Sequence, residues 1–332
     1  MSKPRRVTLQ DIADAVGITK MTVSRYLRQP DAVAAQTGTR IQAAIDTLGY
    51  IQNRAPSMLS RASSKAIGIV IPSLSNQVFS ALVQGVESVT RECGYDTLLA
   101  HTSYDEYEEQ DKIAALLSYQ VDGLILTETR HTNKTRQMLK QAGIPVVEAM
   151  ELPALPLDMA VGLDHQQAAR QATRRLLEQG CRAPVYLAAR MDTRTLLRQA
   201  GYAQAMLEAD RQPVTVKTTE ASNFSAGRQL IESALRDYPA TDGVLCTNDD
   251  LAVGVIFWCH EQGIAIPQQM KIIGYNGLDI GQAVTPMLTS IITPRFEIGQ
   301  ISARYLLEAI NGVRPARQHH DVGFSFTHGM TG

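Results

Sequence analysis

From Ala66 onward the chain alternates short apolar runs with longer stretches of helical spacing. The runs include AIGIVIP, VDGLILT, IPVVEAM, MAVGL, PVYLAAR, VTVKTTE, DGVLCTN, KIIGYN and SIITP. Stretches such as FSALVQGVESVTREC and QAARQATRRLLEQG lie between several of them. Apolar strands alternating with amphipathic helices predict parallel sheets covered by helices. The alternation is too long for one such unit.

The 332 residues leave room for a small domain ahead of this body. Charge separates the two parts. Residues 1–61 hold nine Lys/Arg and four Asp, a net +5, while the remainder holds 23 basic and 29 acidic residues, a net −6. A basic head on an acidic body suits a polyanionic partner for the head. No apolar run reaches membrane-spanning length, and polar TLQDIAD after MSKPRR does not read as a secretory signal. Cys93, Cys181, Cys246 and Cys259 show no Cys-x-x-Cys spacing and are expected as buried, reduced thiols of a cytoplasmic protein. His319, His320 and His328 flank an expected strand near the end of the chain and are expected at the surface, so neither metal nor cofactor is expected.

The head reads TLQDIADAVGITKMTVSRYL over residues 8–27. Thr8 suits an N-cap with Asp11 in the first turn, and Leu9, Ile12, Ala13 and Val16 recur at helical spacing. Gly17 breaks that helix with a positive φ, and Thr19 caps a second helix, KMTVSRYLR, which Pro30 ends. A third helix is expected around 38–48, stopped by Gly49. Val23 and Leu27 face inward, while Lys20, Met21 and Arg25 project from the other side. Two short helices joined by a Gly turn suit a DNA-reading unit whose second helix enters the major groove, and equally an αα-hairpin that binds nothing. Lys can donate to guanine O6 and N7, Met can pack on a thymine methyl, and Arg can pair with guanine or phosphate.

TLQDIADAVGITKMTVSRYL, followed by GYIQNRA and Leu59, resembles the LacI/GalR family of bacterial repressors. TKMTVSRYL, NRAP, SLSNQVF, VDGLILTE and CTNDDLAVG are similar to the branch that represses gluconate and idonate genes. The resemblance implies a helix-turn-helix head at 1–49, a hinge at 50–65 and an effector-binding and dimerisation body at 66–332. The body would be α/β, with two Rossmann-like lobes of periplasmic-binding-protein type. The first lobe would cover about 66–163 and 293–321, the second about 164–291 and 322–332. The DNA-binding residues implied are Thr8, Thr19, Lys20, Met21, Thr22 and Arg25, with Asn53, Arg54 and Leu59 in the hinge. Leu59 matches the leucine that wedges between central base pairs, where an apolar side chain unstacks a step and bends the duplex. Gln52 and Pro56 depart from the family, which commonly has Pro and Ala there. The hinge helix could start with Asn53 as its cap or at Pro56.

Ligands of open α/β sheets bind at the carboxyl ends of strands. Phe79, Arg194, Arg198, Phe224, Asn248, Asp250 and Asn276 each follow a strand-like run. By resemblance these positions, with Ser73 and Thr127, line the effector cleft, and Arg198-Gln-Ala-Gly-Tyr202 is similar to the family's effector arginine. Asn248 or Asp250 equally suits the cap of LAVGVIFWCHE, and Arg194 equally suits a surface position. Many sugar-binding relatives have Asp where Asn276 stands. An amide removes a repulsive charge and, with two arginines, suits an anionic sugar acid such as gluconate. A neutral sugar or a corepressor is the alternative within the family. An enzyme is a distant one: NDD at 248–250 places adjacent carboxylates that do not face each other, and no phosphate loop or nucleophile elbow occurs. One helix-turn-helix reads a half-site, so a homodimer on a pseudo-palindromic operator is expected. The sequence ends at VGFSFTHGMTG without a heptad tail, which favours a dimer over a tetramer.

Overall fold

The computed structural model describes residues 5–52 and 63–332. Contacts divide the chain into a head, up to residue 64, and a body from Lys65 to Gly332.

Among the described residues, the head holds three α-helices, α1 (Leu9–Val16), α2 (Lys20–Arg28) and α3 (Ala35–Leu48), with a short 3-10 turn at Pro30–Ala32. Thr8 and Asp11 form a reciprocal capping box, each satisfying a backbone N–H the helix start leaves free. These hydrogen bonds from Thr8, with Arg5 beside it, hold the Asp11 carboxyl below its ordinary range. Gly17 has φ 72° and Gly49 φ 65°, so both turns use a left-handed residue where a Cβ would be strained. Ile12, Ala13, Val16, Val23 and Ile41 close a small core. Arg40 reaches back from α3 and donates to the Val16 carbonyl at 2.5 Å, satisfying the end of α1. The third helix starts at Ala35 rather than near 38. Its cap, Ala34, makes no side-chain hydrogen bond, so no capping residue marks the start.

The body holds two six-stranded sheets. The first contains β1 (Ala66–Ile71), β2 (Asp96–His101), β3 (Gly123–Leu126), β4 (Val146–Met150), β5 (Met159–Gly162) and β11 (His319–Asp321), in the order β11-β5-β4-β3-β1-β2, all parallel. The second contains β6 (Pro184–Ala188), β7 (Thr215–Lys217), β8 (Gly243–Cys246), β9 (Lys271–Asn276), β10 (Thr289–Ile292) and β12 (Ser325–Phe326). Its order is β12-β10-β9-β8-β6-β7, with only β12 antiparallel. Each lobe therefore repeats the doubly wound order 2-1-3-4-5, whose ligand crevice lies where the order reverses. The chain passes between lobes three times, after β5, after β10 and after β11.

Helices cover both sheets: α4 (Val78–Glu92), α5 (Glu106–Ser118), α6 (Asn133–Ala142) and α12 (Arg295–Ile310) on the first, α7 (His165–Glu178), α8 (Thr193–Glu208), α9 (Phe224–Asp237) and α10 (Asp249–Glu261) on the second. A short α11 (Asp279–Ala283) follows β9. The backbones of α4 and α12 meet closely at Gly85 and Gly299. A Cβ on Gly85 would lie 2.1 Å from the Phe296 carbonyl oxygen. β1, β3, β4, β8 and β9 are buried on both faces, which is why they read as unbroken apolar runs. Cys181, Cys246 and Cys259 are buried and free, but Cys93 is exposed, contrary to expectation. It caps the C-terminus of α4, where the chain turns at the surface.

Candidate functional site

On the head, α2 presents an open face. Met21 is 68% exposed, and Thr19, Lys20 and Arg25 are exposed beside it, while Val23 is buried on the opposite side. The Thr19 hydroxyl accepts from Thr22 N at 3.3 Å and pairs with the Thr22 hydroxyl at 2.9 Å, so the cap fixes the N-terminal turn that carries Lys20 and Met21. Thr8 is exposed, with its hydroxyl on Asp11 at 2.7 Å. Asn53, Arg54 and Leu59 lie outside the described residues.

In the body, the carboxyl ends of β1, β6, β8 and β9 converge on a tight cavity of about 30 Å³. Phe79, Arg194, Arg198, Asn248 and Asn276 all line it. The Arg198 guanidinium lies 3.7 Å from the centre of the Tyr275 ring, and Nη1 donates to the Thr247 carbonyl at 2.6 Å. Its Nε is buried and has no protein partner, and neither does the Oδ1 of Asn276. Asn276 also has φ 103°, a conformation that costs energy for any side chain and gathers at functional sites. One wall of the cavity thus offers a charged donor, while another offers a neutral acceptor.

Behind Arg198, the Tyr275 hydroxyl donates to His165 Nδ1 at 2.7 Å, and His165 Nε2 donates to the Met150 carbonyl at 3.0 Å. A carbonyl can only accept, so Nε2 carries the proton and Nδ1 is the acceptor. Burial, reinforced by Arg198 and Arg194, holds His165 well below its ordinary range and keeps it neutral. Burial also pushes Tyr275 up to about 12. Asp192 caps α8 through Thr195 N at 2.8 Å. Its burial is outweighed by Arg194, Thr195 and Arg198, which keep it a carboxylate.

Other expected residues are placed differently. Asn248 caps α10, accepting from Leu251 N at 3.3 Å and Ser222 Oγ at 2.8 Å, and lines the cavity as well, so the two readings of it coexist. Phe224 and Asp250 line an adjoining pocket that shares Asn76, Arg190 and Ser222 with the cavity. Ser73 and Thr127 are not in the cavity wall. The Ser73 hydroxyl accepts from Asn76 N at 3.2 Å within the turn after β1. Thr127 is fully buried, its hydroxyl donating to the Val70 carbonyl at 3.0 Å. Arg194 is no surface residue; its terminal nitrogens are held by Thr127, Glu128 and Glu151. Sequence reasoning missed Asn76, Tyr104, Arg190, Asp192, Ser222 and Thr247 in the wall. Only Asp192 carries a local signal, as an Asp one residue ahead of a helix.

The profile of bacterial regulatory proteins of the lacI family matches residues 8–53, and that of periplasmic binding proteins and the sugar binding domain of the LacI family matches 64–324. The chain belongs to the LacI family. The HTH-type transcriptional regulator GntR of Escherichia coli strain K12 is 49% identical over 98% of this chain and 99% of that relative. IdnR of the same strain is 44% identical over 98% of each. A LacI family transcriptional regulator from Silicibacter pomeroyi superimposes with a TM-score of 0.92 at 28% identity, covering 98% of this chain and 99% of that one. GntR from Chromobacterium violaceum gives a TM-score of 0.78 at 33% identity, covering 80% and 98%. This LacI-family chain is accordingly a DNA-binding transcriptional regulator and not an enzyme. Among its described residues, no helix is long and apolar enough to cross a membrane, and no group of His, Cys, Asp and Glu could hold a metal ion.

Proposed function

We propose that this regulator is a cytoplasmic repressor of sugar-acid breakdown genes, released from its operator by a gluconate-type acid bound in the cleft. The observation that carries the effector class is the pairing of Arg198 Nε with Asn276 Oδ1, both buried and without protein partners in one cavity. A carboxylate satisfies the guanidinium, and a sugar hydroxyl satisfies the amide oxygen. Asp at 276 would set a second anion against the ligand; Asn does not. The printed names of the relatives GntR and IdnR support the same class. Phe79, Asn248 and Ser222 complete the wall, and Phe224 and Asp250 stand at the adjoining mouth.

On DNA, α2 enters the major groove N-terminus first, so Lys20 and Met21 meet base edges. Thr19, Thr22 and Arg25 secure phosphates beside them. Thr8 shapes the start of α1, Asn53 and Arg54 hold the hinge on the backbone, and Leu59 acts as the minor-groove wedge. A homodimer reads the two halves of a pseudo-palindrome.

Calorimetry with gluconate and glucose tests the effector class. Gluconate should bind and glucose should bind at least tenfold more weakly; equal or preferred glucose binding would overturn the sugar-acid reading. By linkage, operator-bound protein must bind the inducer more weakly than free protein.

A further inference from the structure

Arg194 is 5% exposed, yet its guanidinium makes no hydrogen bond within the lobe that carries it. It starts from the first turn of α8, on the second lobe, and ends among groups of the first. Nη1 donates to the Thr127 carbonyl at 2.7 Å and to Glu151 Oε1 at 3.1 Å, and Nη2 donates to Glu128 Oε1 at 2.5 Å. The second oxygen of Glu151 accepts from Thr129 Oγ1 at 2.8 Å, so that carboxylate is held from behind. Phe79, also of the first lobe, lies under the guanidinium at 5.6 Å. Three acceptors come from the ends of two neighbouring strands, β3 and β4, and converge on one side chain of the opposite lobe.

We propose that Arg194 is a lock between the lobes, closed on Glu128, Glu151 and the Thr127 carbonyl, that sets how readily the cleft opens. The contact is all-or-none. A small parting of the lobes breaks three charge-assisted bonds at once, and water must then enter to solvate the arginine and both carboxylates. Two discrete arrangements, rather than a gradual hinge, follow from such a contact. Arg194 and Arg198 sit four residues apart on α8, one turn along the same face. A ligand held by Arg198 therefore anchors the helix that carries the lock, and the state of the lock changes the apparent affinity of the cleft. Arg194 acts as a positioning residue in this account. The lock concerns lobe opening and holds whichever small molecule the cleft takes.

The test is the distance between lobes in the full-length protein. Nitroxides are placed at Tyr119→Cys and Leu207→Cys, both exposed and on opposite lobes, in a Cys93→Ser background. Labelled subunits are diluted with excess unlabelled protein, and double electron–electron resonance gives the distance distribution. The parent should give one narrow distribution. Glu128→Gln with Glu151→Gln should broaden it to longer distances, and so should Arg194→Met. The triple variant Arg194→Met, Glu128→Gln, Glu151→Gln removes the cation together with both carboxylates that hold it and leaves Asp192 to Thr195 and Arg198, so, checked for folding by its thermal unfolding, it separates loss of the lock from misfolding; it too should open. Gluconate affinity should fall about tenfold in these variants as the closed fraction falls. A parental distance distribution in the folded triple variant would overturn the lock. If gluconate fails to bind the parent, the sugar-acid reading fails, while the distances still decide the lock.

Discussion

Arg198 is stacked on Tyr275 at 3.7 Å from the ring centre while Nη1 is tied to the Thr247 carbonyl. A desolvated cation on an aromatic face gains about 2 kcal/mol. The Tyr275 hydroxyl is in turn fixed by neutral His165. The guanidinium is therefore held in place at the cavity wall before any ligand arrives, which lowers the ordering cost of binding.

Replacing Arg198 with Met should weaken gluconate binding by roughly 30-fold or more, since truncating one partner of a buried charge pair costs about 2–5 kcal/mol. Operator affinity without effector should stay within a few-fold of the parent. Calorimetry and operator titration on the same preparation check both.

Asn276→Asp keeps the side-chain volume and one acceptor but adds a charge beside the ligand. Binding of gluconate should fall about tenfold or more, because like charges brought together cost more than about 1 kcal/mol. Affinity for neutral sugars should change less. Loss of both to the same degree would point to collapse of the strained backbone at this residue instead.

Lys20→Ala should cost about 1–3 kcal/mol on the specific operator and relax discrimination at one base pair, whereas loss of a phosphate contact weakens all sequences alike. Competition binding against single-base operator variants separates these outcomes. Leu59→Ala should weaken operator binding far more than gluconate binding; equal loss of both, or of neither, would remove the wedge.

His131 is buried between two carboxylates, Nδ1 2.7 Å from Glu109 and Nε2 3.3 Å from Glu148. Burial alone would lower it, but the bonds to Glu109 and Glu148 raise it to about 9. The protonated ring binds its proton more tightly in the folded state, so its contribution is complete below about pH 6.5 and is lost as pH rises through about 9. His131→Gln should remove on the order of 2 kcal/mol at pH 6.5 and progressively less toward pH 9. Urea unfolding of parent and variant across that range measures the difference.

The double α/β body was legible because strands such as β1 and β4 are buried on both faces and therefore read as continuous apolar runs. β2, DTLLAH, was absent from those runs because it is an edge strand with polar ends and partly exposed positions. The head was legible through local chemistry, with Thr8, Gly17, Thr19 and Gly49 each marking a helix end. The cleft was legible only in part. A residue's position after a strand locates Arg198, Asn248 and Asn276, since strand ends converge by topology. It does not reveal that Thr127 turns its hydroxyl back to Val70, or that Arg194 meets partners 43 and 66 residues away. The buried Glu109–His131–Glu148 group was missed for the same reason, since its members are far apart in the chain.

Under the proposed function, a sugar acid in the cleft governs the regulator's grip on DNA. Fluorescence anisotropy of a labelled operator fragment, titrated with protein at fixed salt and with increasing gluconate, tests it most directly. Tight binding to a pseudo-palindromic site should weaken at least tenfold as gluconate saturates, with Arg198→Met still bound at the same gluconate concentration. Operator affinity that is unchanged by gluconate in the parent protein would contradict it.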